Sequence, residues 1–251
     1  MPTENTFDVT SPEVLRARDL IAPVPNFPDV VLATYSRTKL EAILEMTPHE
    51  QVGSINTSAL TIPIYVIEAH GERIGLYLST IGGAASAGIM EEVIAMGGKK
   101  FLFFGSCGTL DHEVGEGAIV LPTAAWRDEG VSYHYVPAAD TIEVPSWTRL
   151  AELLTEMDVP FHTTRTWTTD AIYRETRDTM QKRIESGCGV VEMECASTAA
   201  VASFRGVGFY QFVYGADSLV GDEWDPRTLA ESLNDENRII AELAIRIAAR
   251  I

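Results

Sequence analysis

The chain has 251 residues, 46% of them hydrophobic and 22% charged, which is enough apolar mass for one large α/β domain with a sizeable core. Its formal net charge of −17 argues against a track for the DNA or RNA backbone and against anionic membrane surfaces, although a local cation or a ring of backbone amides can still hold a small anion. Cys107, Cys188 and Cys195 lack metal-ligand spacing, the first residues are polar and acidic, and no apolar run spans a bilayer, so a reducing cytoplasmic setting without metal or membrane is expected.

Residues 1–28 mix acids with five prolines and read as an irregular arm that packs on the surface or on a neighbouring subunit. Residues 29–33 form an expected buried strand, and a turn at 34–38 leads into a helix over 39–46. Open α/β sheets place ligands at loops of this kind, at the carboxyl end of a first strand. A hairpin is expected from residues 62–68 and 73–78, joined at His70-Gly71-Glu72. The glycine and alanine loop over 79–88 enters a helix that runs to Met96. Small residues there allow close approach of a ligand or tight packing of the helix on a sheet, and no dinucleotide fingerprint is present. Gly97-Gly98 ends that helix, and residues 101–104 read as a buried strand stopping at Gly105-Ser106-Cys107-Gly108. Those four residues form either an anion concavity of amides and the Ser106 hydroxyl or simply a tight turn. Cys107 has no neighbouring histidine to activate it and is expected to pack.

Residues 114–122 read as a turn and a strand that lead to a run from Ala125 to Tyr135 rich in ligand-binding groups, with His134 expected at a subunit contact. A helix over 146–157, a strand to Trp167 and a polar loop over 168–176 follow. In Val190-Val191-Glu192-Met193-Glu194-Cys195-Ala196 two carboxylates flank a methionine where a strand hands over to a small-residue helix. A run this apolar buries at least one acid, and a buried acid needs donors. A ribose supplies hydroxyl donors and an apolar face for Met193; the alternative is that both acids are capped or solvated first-turn residues. Residues 208–214 form a last buried strand, after which Asp217 emerges where catalytic acids of α/β folds sit, and residues 226–251 read as an amphipathic helix.

Five motifs stand together in order: Gly105-Ser106-Cys107-Gly108, Arg127-Asp128-Glu129-Gly130 with Ser132, Thr169-Asp170-Ala171-Ile172-Tyr173, Glu192-Met193-Glu194 and Asp217-Ser218. In order and spacing they resemble the nucleoside phosphorylases of the purine and uridine phosphorylase superfamily, with the uridine branch nearest. The resemblance runs from about Asp29 to the last helix, with the arm over 1–28 outside it. It implies a three-layer α/β/α sandwich around a mixed, partly barrel-like central sheet, formed by residues 29–251 as one domain. It also implies homo-oligomers, dimers or hexamers built as a trimer of dimers, whose sites borrow residues from a neighbour. The implied reaction is reversible phosphorolysis of a uridine or purine nucleoside to free base and ribose 1-phosphate, with phosphate as co-substrate and no cofactor.

Residue by residue, the resemblance puts Met193 and Glu194 on the ribose with Glu192 beside them, and Ile172 on the base near Tyr173 and Thr176. It puts Ser106 and Gly108 on phosphate and makes Asp217 the acid that protonates a leaving purine. Such chemistry suits these residue types, because a carboxylate on the ribose hydroxyls stabilises the cationic transition state and an acid near the base aids its departure. Departures concern the phosphate grip. Lys39, with Arg37 close by, replaces the first family arginine, Phe103 the second, and the stretch Ile55-Asn56-Thr57-Ser58 offers none for a neighbour. Tyr35 stands where the loop glycine belongs. Lysine cannot copy the bidentate arginine fork, so Lys39, Arg37, Ser106 and Arg127 are left to hold phosphate. The alternatives are a nucleoside hydrolase, although residues 34–39 lack the first-loop glutamate that hydrolytic relatives use, and a non-catalytic nucleoside-binding protein. Ile172 and Thr176 match neither a uracil-reading nor a purine-reading pattern.

Overall fold

A computed structural model describes residues 6–221, 223–227 and 234–251. Its centre is a run of apolar residues buried on both faces, as expected for parallel strands covered by helices. β1 (Val30–Thr34) lies parallel to both β4 (Glu72–Leu78) and β5 (Lys100–Thr109). On β5 the side chains alternate, as strand geometry requires. Phe101 and Phe103 join the core beneath α3 (Gly83–Met96) and α7 (Cys195–Arg205), whereas Leu102 and Phe104 join the core beneath α2 (Arg37–Met46), α5 (Trp147–Glu156) and α8 (Asn234–Ala248). Helices on both faces of one sheet make the three expected layers.

β5 also closes a ring. It pairs in parallel with β10 (Gly208–Ser218), which runs antiparallel to β6 (Ile119–Asp128). β6 is parallel to β8 (Phe161–Thr169), β8 is parallel to β9 (Cys188–Glu192), and β9 returns antiparallel to β5. These five strands form the barrel-like part of the sheet, and β1, β4, β3 (Thr61–Ala69) and β2 (His49–Asn56) extend from it. Short β7 (Thr141–Glu143) pairs with β6. Within the closed part, Phe104 and Phe212 stack with centroids 5.4 Å apart.

Three expectations need correction. First, Gly105-Ser106-Cys107-Gly108 is not a turn: β5 continues through Thr109, because β10 pairs with it along that whole stretch. The glycines serve packing, since a Cβ on Gly105 would lie 2.9 Å from the Tyr35 ring and one on Gly108 would lie 2.6 Å from Leu219. Second, residues 49–56 form an edge strand that the sequence reading leaves unassigned, because the strand is half exposed and carries no apolar alternation. Third, the final helix does not begin at 226: Asp225 bridges back to Ser218, residues 228–233 lie outside the described residues, and the helix is described from Asn234.

The N-terminal arm packs on its own chain. Its residues 1–5 lie outside the described residues, while the Thr6 hydroxyl donates to the Tyr133 carbonyl (3.0 Å), Arg205 pairs with Glu13 at 2.5 Å, and the Val24 N–H donates to the Met96 carbonyl (3.0 Å). One short helix, α1 (Ala17–Leu20), interrupts it, and a second one-turn helix, α4 (Ser132–Tyr135), follows β6. Among the described residues, no helix is long and apolar enough to cross a membrane.

Candidate functional site

The site grows from the junction of β9 and α7. Glu192, the last residue of β9, is buried and accepts four hydrogen bonds. The N–H groups of Glu194 and Cys195 donate to Oε2 at 2.8 and 2.7 Å, and the hydroxyls of Thr166 and Thr168 donate to Oε1 at 3.2 and 2.6 Å. Two of these donors are orphan amides at a helix start, and the threonines lie two residues apart on β8, so they share a face. Glu192 is thus the capped acid. Burial raises its pKa against the pull of those donors.

Glu194 is different. It is buried at the N-cap of α7, where the Gly82 N–H donates to Oε1 at 2.7 Å. Burial, and then the charge of Glu192, push its carboxyl up to about 8. Gly82 can present that amide because its φ of 95° suits glycine, and its neighbour Gly83 lets α3 press against α7. A Cβ on Gly83 would lie 2.2 Å from the Ser197 hydroxyl, which itself donates to Glu129 at 2.6 Å. Glu129 also accepts the Ser132 N–H (3.0 Å) and the Ser132 hydroxyl, so the loop after β6 is tied to α7.

Glu192, Met193 and Glu194 form one wall of a cavity of about 540 Å³. Ser106, Cys107 and Gly108 of β5 line its base, and Asp217, Leu219 and Trp224 line another side. Asp217 sits at the end of β10 and accepts the Trp224 indole N–H at 2.8 Å. The loop before α6 (Arg177–Glu185) contributes Ile172, Tyr173 and Glu175, and Arg177 and Met180 follow from the helix. Tyr35 completes the lining: its ring stacks on Phe103 with centroids 6.0 Å apart, and its hydroxyl lies 3.3 Å from the Ser86 hydroxyl.

The cavity therefore brings together Asp217, Glu194, Met193, Glu192, Ile172, Tyr173, Ser106 and Gly108. Four other residues singled out in the sequence lie elsewhere. Lys39 is buried, with Nζ donating to Asn237 Oδ1 (2.8 Å) and lying 4.6 Å from the Tyr214 ring centroid; burial lowers its pKa. Arg37 is exposed at the start of α2. Arg127 turns into the protein, where Nε donates to Ser132 Oγ and Nη1 to the Pro137 carbonyl, both at 2.7 Å, and its guanidinium covers the Tyr133 ring. Thr176 is the exposed N-cap of α6 and donates to Thr179 Oγ1 (2.9 Å). None of the four lines the cavity. Cys107 does line it, but burial pushes its thiol well above the ordinary range, in keeping with packing.

Sequence reasoning missed several contributors. Thr166 and Thr168 carried a signal in their alternation on β8, and Gly82 in its place before a helix. Glu175 and Trp224 carried none, since each is a lone residue in a loop. The charge balance was also hidden: among the described residues, four acids, Glu175, Glu192, Glu194 and Asp217, line the cavity together with one arginine, Arg177.

A family model described as the phosphorylase superfamily matches residues 29–251. A guanosine phosphorylase of Halorubrum lacusprofundi is 27% identical over 180 residues, which is 70% of this chain and 74% of that protein. In fold, the chain is similar to a uridine phosphorylase from Vibrio fischeri ES114, with a TM-score of 0.75, 18% identity and coverage of 92% of this chain and 95% of that one. It is also similar to a futalosine hydrolase mutant of Helicobacter pylori strain 26695, with a TM-score of 0.71, 17% identity and coverage of 90% and 100%.

The contact of Gly83 with Ser197 is testable. Gly83→Ala should overpack the α3–α7 seam and lower the unfolding free energy by about 1–3 kcal/mol, measured as a shift of the urea midpoint. An unchanged midpoint would show that α3 can move away from α7 freely.

Proposed function

The chain belongs to the phosphorylase superfamily, and we propose that it cleaves the N-glycosidic bond of a ribonucleoside by phosphorolysis, releasing the free base and ribose 1-phosphate. One observation carries this reading: Glu194 and Asp217 face the same cavity with Met193 in its wall. Glu194 accepts the Gly82 N–H and keeps lone pairs for ribose hydroxyls, and its bonds to them strengthen as the sugar becomes cationic. Met193 packs on the apolar sugar face. Asp217 gives its proton to a ring nitrogen of the base, so the base leaves neutral, while the Trp224 indole fixes the carboxyl by one oxygen. Phosphate attacks the anomeric carbon from the side of Ser106, whose exposed hydroxyl is the polar side chain of β5 in the cavity. Names of relatives, guanosine phosphorylase and uridine phosphorylase among them, support the same acceptor.

A second reading, hydrolysis, has its own observation. Tyr35 and Phe103 stack where cations would grip phosphate, and the acids of the cavity oppose an anion. Water as acceptor meets no such repulsion, and one structural neighbour is a hydrolase by name.

Glu194 sets a pH dependence. The carboxylate stabilises the cationic sugar more than the neutral acid does, and its carboxyl is held at about 8, so the limb of the kcat/KM profile that Glu194 sets should rise with pH through about 8. Glu194→Gln should lower turnover roughly a hundredfold or more and abolish that rise, read from initial rates across pH.

If Asp217 is the general acid, Asp217→Asn should damage cleavage of a natural purine nucleoside far more than cleavage of a substrate with an activated leaving group. Equal losses on both would assign Asp217 a structural role.

The acceptor is decided by the sugar product. With purine and pyrimidine nucleosides, the protein should form a sugar 1-phosphate at a rate that depends on added phosphate. Half-saturation should need more phosphate than an arginine-lined site would, and Ser106→Ala should raise the requirement further. Free ribose formed at a phosphate-independent rate would establish hydrolysis instead.

A further inference from the structure

We propose that the ring of Tyr35 selects the acceptor: it fills the space beside Ser106 from which phosphate would attack the sugar, and it leaves room there for water. The inference rests on nucleoside cleavage in this cavity and goes beyond it by naming the residue that sets how well phosphate competes with water.

The ring is fixed from several sides. Tyr35 follows β1 and precedes Ser36, the N-cap of α2, so its backbone is held between a strand and a helix. Its ring stacks on Phe103 with planes 20° apart, and Phe103 is fully buried and packs in turn on Phe101 and Phe209. The edge of the ring lies over Gly105, the residue before Ser106, where a Cβ would stand 2.9 Å from Cδ2 and 3.6 Å from Cγ. Beyond the ring, the Tyr35 hydroxyl is tied to Ser86 Oγ, which lies 3.0 Å from Ser79 Oγ, and both serines are buried. A ring packed on so many neighbours does not swing aside for a ligand.

Charge acts in the same direction as shape. Burial, and then the charge of Glu194, hold the Tyr35 phenol well above its ordinary range, so the group that occupies this space stays neutral and gives an anion no counter-charge. Among the described residues that line the cavity, the one cation is Arg177, which donates to the Gly221 carbonyl. Phosphate is larger than water and negatively charged, so it meets a steric and an electrostatic obstacle at one place. Water meets neither. Selectivity is obtained here by an obstacle to the competing ligand, which a smaller side chain should remove.

The experiment follows ribose and ribose 1-phosphate as inorganic phosphate is varied at constant ionic strength, with inosine, guanosine, adenosine and uridine as substrates. Tyr35→Ala should lower the half-saturating phosphate concentration by about tenfold or more, whereas Tyr35→Phe, which keeps the ring, should stay within about twofold of the native value. If the native protein forms only ribose, ribose 1-phosphate should appear in Tyr35→Ala; that result would sink the phosphorolysis reading and still support the role of Tyr35. An unchanged phosphate requirement in Tyr35→Ala, equal falls in the alanine and phenylalanine variants, or ribose as the sole sugar product of every variant would overturn the assignment. Where Tyr35→Ala does not fold, Tyr35→Leu, a shorter side chain that keeps apolar contact with Phe103, is read in the same way. A second measurement needs no catalysis: the thermal midpoint in inorganic phosphate against chloride of equal ionic strength. Phosphate should raise the midpoint of Tyr35→Ala more than that of the native protein or of Tyr35→Phe, and an equal response in all three overturns the assignment even in a protein that cleaves none of the four nucleosides.

Discussion

The rest of the site depends on one carboxylate, that of Glu192, and on the four donors it collects. Two are amides at the head of α7 and two are hydroxyls on β8, so a single side chain joins two strands of the closed ring to the helix that follows β9. A buried acid so well satisfied is a structural bolt. Its charge has a second effect two residues later. Glu194 is buried near Glu192, and although the Gly82 amide donates to it, burial and then that charge raise its carboxyl to about 8. Two acids of the same type, separated by a methionine, acquire different tasks because one has donors and the other has a cavity.

Close backbone approach arranges what surrounds them. Gly83 lets α3 reach α7, Gly105 lets the Tyr35 ring lie on β5, and Gly108 admits Leu219 and Val191. Where Gly105 admits the Tyr35 ring, next to Ser106, that ring stacks on Phe103. An acidic cavity results. It favours a ligand rich in donors, such as ribose, over one rich in negative charge, and the competition between phosphate and water as acceptor follows from that electrostatic fact.

Much of the fold was legible in the chain. Strands β1, β3, β4, β8, β9 and β10 announce themselves as apolar or alternating runs between glycines, and the helices over 37–46, 83–96 and 147–156 follow their apolar spacing. The errors have local causes. A Gly-Ser-Cys-Gly run carries the composition of a turn, and only pairing with β10 keeps it extended. Residues 49–56 become a strand because β3 offers an edge, which is a property of the sheet and not of their own pattern. In the same way, Arg127 sits in a run rich in ligand-binding groups, yet Ser132 and the Pro137 carbonyl draw its guanidinium inward.

What the sequence by itself determined about this protein is the order of its elements and the chemistry concentrated at their ends: two acids at β9–α7, one acid at the end of β10, and a phosphate grip short of arginines. These are local facts, since burial, alternation and residue type are written along the chain. The tertiary structure alone decided which of those groups meet. It closed five strands into a ring so that β5, β9 and β10 end at one cavity, turned Lys39 toward Asn237, and brought Glu175 and Asp217 to the same cavity. Contacts of that kind join residues far apart in the chain, and they follow from strand register and helix packing, which no single stretch of sequence encodes.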